Sequence, residues 1–133
     1  MKFVPLQEHH FDWIQKRTGI IRVSDVKGIG VELNDKIIAV CACDSWTATS
    51  VQVHIAIDNP ICLKNNRLQN EVFEYIFNQA NRLVAIGLVP ANNYRALRFD
   101  TKIGFTESCR IKDGYEEGID LVIMTLHKSD WRK

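Results

Sequence analysis

The stretch from residue 51 to residue 89 most limits what this chain can fold into. In VQVHIAID, Val51, Val53, Ile55 and Ile57 alternate with Gln52, His54 and Ala56. Such strict alternation marks a strand with one strongly apolar face. NPICLKNNRLQ follows as a loop, with Pro60 and the Asn pair as breakers. Then Val72, Phe73, Ile76, Phe77 and Ala80 fall four, five, eight, nine and twelve positions after Leu68, forming one apolar helical stripe. Asn65 or Asn66 can cap its start. LVAIGLV (83–89) is apolar throughout, as a strand buried on both faces must be. Strand, helix and strand form a β-α-β unit, whose strands are expected to be parallel with a right-handed crossover.

The flanks add antiparallel structure. KFVPL opens as a short strand, with Pro5 near its end, where a missing donor is tolerated. EHHFDWIQKR reads as a helix stopped at Thr18-Gly19, while IIRV (20–23) fits either period. GIGVEL, the turn Asn34-Asp35 and KIIAVCACD read as a hairpin. Pro90 breaks the chain before NNYRALRFDTKI, a helix capped by Asn92 or Asn93 and ended by Gly104. FTESCRIK and IDLVIMTLHK are strands joined by the loop DGYEEG, and the tail SDWRK is expected to fray. This order predicts an α/β (α+β) fold with a mixed sheet and helices on both faces. No linker or repeat divides residues 1–133, which read as one domain.

Lys plus Arg total 17 against 16 for Asp plus Glu, a net charge of +1. That balance gives no general attraction to nucleic acid or to an anionic membrane. The longest apolar run falls far short of the roughly twenty residues a spanning helix needs. MKFVPLQEHH lacks the apolar centre of a signal peptide, so the expected compartment is the cytoplasm. Cys41, Cys43, Cys62 and Cys109 then read as reduced thiols. Cys41 and Cys43 share a strand face, and His54 is the candidate third ligand for a metal. No second cysteine pair accompanies them, so small buried hydrophobes are expected and no metal site.

The segment ANNYRALRFDTKIGF resembles the GNAT superfamily of acyl-CoA-dependent N-acyltransferases, whose pattern there is N-x-x-A-x-x-x-Y-x-x-x-G-F. Asn93, Ala96, Gly104 and Phe105 match, and Asp100 occupies the Tyr position. The order of elements is similar over nearly the whole chain. The resemblance implies a GNAT-like fold, acetyl-CoA as acyl donor, and a small-molecule or protein amine as acceptor, with a homodimer left open. It implies that the two central parallel strands splay and take the pantetheine arm between them. The pyrophosphate would sit on the loop opening the next helix, where free N–H groups and the positive helix end suit an anion. By that register the loop is Lys64, Asn65, Asn66, Arg67, Leu68 and Gln69. Lys64 takes the basic position, and Arg67 and Gln69 stand where the family has glycines. Asn93 is implied to contact the pantetheine or thiol region, beside its capping role.

Acyl transfer to an amine needs a base for the ammonium, donors for the oxyanion and an acid for the departing thiolate. The resemblance puts Asp100 where the family often has a Tyr acid. An ordinary Asp, with a pKa of ~3.9, is ionised at neutral pH and is a poor substitute. Tyr94, on the same helix, reads as a packing residue. For the base the candidates are His54 and Glu32, with Asp44 considered beside them. His54 lies on the polar-phase face of the strand expected to line the cleft, and imidazole titrates near neutrality. A hydrogen-bonded sheet-face histidine is the alternative for His54, and edge charges of the hairpin are the alternative for Glu32 and Asp44. His9, His10, Trp13 and Trp46 are candidates for an acceptor wall or a partner surface. The altered loop and missing Tyr keep a second reading open. It is a GNAT-fold binding or structural protein without catalysis, similar in its compact form to GNAT-like proteins encoded by bacteriophages.

Overall fold

The computed structural model describes residues 1–131. The elements run β1 (Lys2–Pro5), α1 (Glu8–Thr18), β2 (Lys27–Leu33), β3 (Lys36–Asp44), β4 (Ser50–Ile57), α2 (Arg67–Phe73), β5 (Val84–Pro90), α3 (Tyr94–Lys102), β6 (Thr106–Glu116) and β7 (Ile119–His127). They build a seven-stranded sheet in the order β1-β2-β3-β4-β5-β7-β6. Among the described residues only β4 and β5 are parallel neighbours, and every other pair is antiparallel. The mixed sheet and its β-α-β unit therefore match the periodicities. No described helix is long and apolar enough to cross a membrane.

The sheet sorts side chains onto two faces. On one, α1 buries Phe11 and Ile14 against Val40 and Ala42. On the other, α2 buries Leu68, Val72 and Phe73, followed by Ile76 and Phe77, against Cys41, Cys43, Val51 and Ala85. The stripe expected of α2 is buried, although the helix widens to a π-type coil over Glu74–Gln79. Burying a Phe or Leu side chain contributes roughly 1.5–3 kcal/mol. Gly19, at φ 70, ends α1 in the left-handed region that suits glycine.

Three local expectations need correction. The last hairpin does not loop over DGYEEG. β6 continues to Glu116, Asp113 (φ 55) lies in a register shift, and the turn is Glu117-Gly118. Asp113 Oδ1 accepts the Gly118 N–H at 2.9 Å, which draws the turn in. The tail is not frayed over its described part: residues Lys128–Asp130 form a 3₁₀ turn and Trp131 packs on Phe77 at 5.7 Å. Arg132 and Lys133 lie outside the described residues. Tyr94 is 69% exposed, so it is not a packing residue.

Candidate active site

β4 and β5 pair only at Ser50↔Val84, Val51↔Ala85 and Gln52↔Ile86. Beyond that each strand follows its outer partner: β4 stays with β3 up to Ile57, and β5 stays with β7 up to Pro90. The two strands part, leaving a V-shaped opening in the middle of the sheet. Backbone polar groups along its rims have no strand across from them, and such groups call for a partner.

His54 sits on β4 just past the last pair, on the α1 face. Its Nε2 lies 3.1 Å from Asp44 Oδ1, with side chains 28% and 8% exposed. A carboxylate can only accept, so Nε2 carries the proton and the neutral ring keeps its lone pair on Nδ1. Asp44 is thus a buried anchor for the ring, not the edge charge its place in the hairpin suggested. This pairing crosses ten residues of sequence. The signal was present in the register, because Ala42 pairs with His54 and Asp44 with Gln52. Neighbouring residues on one face of paired strands are within side-chain reach.

The structure does not bring Glu32 to this pair. On β3, Ile37 stands opposite Glu32 and Ala42 opposite His54. Five positions and two strands separate them, more than about 15 Å. Glu32 Oε2 instead lies 2.7 Å from His10 Nε2 and 3.4 Å from His9 Nε2, which holds its carboxyl below the usual range. His10 is fully buried. Its Nδ1 accepts the Gln7 N–H at 2.9 Å, so Nε2 is the protonated nitrogen and donates to Glu32. With both ring nitrogens so engaged, His10 offers no lone pair to a cation. The three groups cluster closely, yet they serve the start of α1. Nor do His9 and His10 face the opening. Cys41 and Cys43, with sulfurs 3.8 Å apart, lie in the α2-side core, on the opposite face from His54. They make no three-ligand set with it.

The segment from Lys64 to Gln69 opens α2. A 3₁₀ segment, Pro60–Asn66, replaces the expected loop, and Asn65 and Asn66 both take left-handed backbone at φ 57. Asn66 caps through this bend, without the side-chain bond expected of it. The left-handed positions are therefore Asn65 and Asn66, and asparagine tolerates them. Arg67 is helical (φ -62), and its guanidinium sits 5.1 Å over the Phe3 ring. It turns towards β1 and does not crowd the opening. Leu68 is a core residue at 2% exposure. Gln69 lies one turn before Phe73, whose ring packs on Phe105 at the entry to β6. Gln69 Oε1 is buried and has no hydrogen-bond partner. A buried acceptor without a donor costs about 1–3 kcal/mol, so this oxygen is available to an incoming N–H.

Asn93 caps α3 as expected, accepting the Ala96 N–H at 3.2 Å. Asp100 lies on the inner side of α3. Its Oδ2 is 3.3 Å from where a Cβ on Gly87 would stand, and Gly87 is the first β5 residue beyond the last pair with β4. Burial pushes its pKa from 3.8 up to about 6, so it is not the ordinary acid its sequence position implied. A cavity of about 370 Å³ between the start of β2 and α2 is lined by Pro5, Leu6, Ile29 and Tyr75. Another, of about 390 Å³, flanks the β2–β3 turn. Neither reaches the opening.

This arrangement has the fold of solved N-acetyltransferase structures. A spermidine N-acetyltransferase SpeG N152L mutant from Vibrio cholerae superposes with a TM-score of 0.75, at 14% identity, over 96% of this chain and 94% of that one. A SpeG chimera between Vibrio cholerae and hSSAT sequences gives 0.73, at 15% identity, over 97% and 98%. A probable acetyltransferase gives 0.65, at 17% identity, over 90% and 68%. No protein-family model matches the sequence, and no curated protein does.

Proposed function

We propose that the protein is an N-acetyltransferase that takes an acetyl group from acetyl-CoA to an amine. The observation that carries this is the opened β4–β5 pair with an anchored, accessible His54 at its edge. The residues present suit CoA. The unpaired strand rims and the orphaned Gln69 Oε1 offer partners to its amides, and exposed Lys64 adds a cation to the segment that leads into α2. Acetyl-CoA, when bound, supplies the activated thioester carbonyl. His54 would take a proton from the acceptor ammonium on Nδ1, directly or through a water; as the new N–C bond forms the thioester C–S bond would break, and the sulfur would leave as the CoA thiol with the second proton the nitrogen gives up. Asp44 holds the ring in that tautomer and steadies the imidazolium that results. Asn93 sits at the start of α3 with its oxygen accepting the cap bond and its amide N–H groups left to donate to a ligand. The acceptor is open; spermidine, the substrate named for two structural neighbours, is a first probe. One neighbour is described as dodecameric, and self-association is a further point to measure.

Saturating acetyl-CoA at a hundred times its dissociation constant contributes ~2.7 kcal/mol, so the melting temperature is expected to rise by at least ~5 °C. His54→Gln is expected to keep that shift and lose turnover by about 10²-fold or more. No shift at millimolar acetyl-CoA would overturn the transferase reading and leave a non-catalytic binding protein.

A further inference from the structure

The α1 face of the sheet is covered over β3 and β4, but its β5-β7-β6 half carries no helix among the described residues. Cross-strand pairing lays out the side chains there. Leu88 stands beside Ile123 and then Cys109, and Pro90 beside Leu121 and then Ile111. Ile86 extends the surface towards β4, where it pairs with Gln52. Ile86, Leu88, Ile111, Leu121 and Ile123 belong to neither core. Leu88 is 42% exposed and Ile111 45%. The patch runs without a break into the opening, because Leu88 lies two residues past the last β4–β5 pair, across the gap from His54.

Charge is sparse on the part of this face next to the opening. Asp44 is engaged by His54, and Asp58 by Arg17 through contacts of 2.7 and 3.0 Å; Glu116, on this face opposite Ile119, stands at the far hairpin end beyond Leu121. A polycationic acceptor held at His54 would bring further ammonium groups against Leu88, Ile123 and Leu121, short of the carboxylate at the hairpin end. The size also argues for a small occupant. Three strands by four residues span about 10 Å by 13 Å, well under the ~800 Å² per partner of a stable protein interface.

We infer that this bare aliphatic face is the acceptor platform, and that the acceptor is an amine with an apolar body, an alkyl or arylalkyl monoamine. The inference rests on the transferase reading above and specifies its substrate class. The amine end would lie at His54 Nδ1 and the hydrocarbon on Leu88, Ile123 and Leu121.

The test is acetylation of a primary amine series, propylamine to hexylamine, with spermidine alongside, in wild type and Leu88→Glu. Acetyl-CoA binding is measured separately by calorimetry. Each added methylene is expected to raise kcat/KM about three- to fourfold. Hexylamine should exceed spermidine by at least about tenfold, and Leu88→Glu should flatten the series and narrow that gap. A flat wild-type series, a preference for spermidine, or no amine acetylated despite acetyl-CoA binding would each overturn the inference. If acetyl-CoA does not bind, the transferase reading falls instead. The platform is then judged by hexylamine binding, and equal binding to wild type and Leu88→Glu overturns it. A dimer that Leu88→Glu dissociates would give the face to a second copy and overturn it as well.

Discussion

Replacing Asp100 by asparagine tests the opening through its energetics. The carboxyl is largely buried on α3 against Gly87, and no hydrogen bond or ion pair holds it among the described residues. Desolvation raises its pKa from 3.8 to about 6. A group whose pKa is higher folded than unfolded binds its proton more tightly in the folded state. Its contribution to stability is full below pH 3.8 and is lost as pH rises through about 6. The shift of about two units corresponds to about 3 kcal/mol at 1.36 kcal/mol per unit. Partial access to water lowers this, and we expect about 1–3 kcal/mol. Asn keeps the shape without the charge, so Asp100→Asn should be more stable than wild type by that amount at pH 7.5. The two should converge at pH 3.5. For a domain this size the neutral-pH gain is a rise of about 3–10 °C in melting temperature. Urea unfolding of both proteins at the two pH values measures it. Equal stability at pH 7.5, or the same difference at both, would refute the argument that an unpaired buried charge is held there. Such a charge, kept against stability beside the opening, is what a site retained for binding would show.

Two more outcomes follow from the packing. Cys41, Cys43 and Cys62 are buried and Cys109 is exposed. Burial raises the Cys62 thiol, and contact with Cys41 together with burial raises Cys43. A thiol-disulfide reagent should therefore titrate one cysteine in the native protein and all four in denaturant; fast native reaction of a second would contradict the packed core. A methyl group at Gly30 would overlap the His10 ring. Gly30→Ala should thus cost about 1–3 kcal/mol by overpacking, read from denaturant midpoints, and an unchanged midpoint would show that α1 is free to shift.

Much of the architecture is legible in the chain because it follows from local periodicity. The alternation of Val51, Val53, Ile55 and Ile57 and the stripe from Leu68 to Phe77 each dictate an element and its buried side; the apolar run ending at Val89 dictates a strand, but not one buried on both faces as expected, since Leu88 is 42% exposed. Right-handed crossover then joins them with no further information. Asn93 as a cap is equally local. The site was readable only in outline. His54 was visible as a polar-phase residue, but its anchor Asp44 depends on strand register. Glu32 shares a residue type with a plausible base, and only the sheet shows it serving His10 instead. The left-handed bend falls at Asn65 and Asn66, not at Arg67 and Gln69, because the chain must turn from the 3₁₀ segment into α2 before Leu68 can reach the core. The pKa of Asp100 is set by burial against β5, and the bare face around Leu88 exists because α1 lies over β3 and β4 alone. Local pattern fixes which face of each element seeks cover. Which faces obtain it, and which polar groups then meet, depends on contacts between residues far apart in the chain, and those only the folded sheet decides.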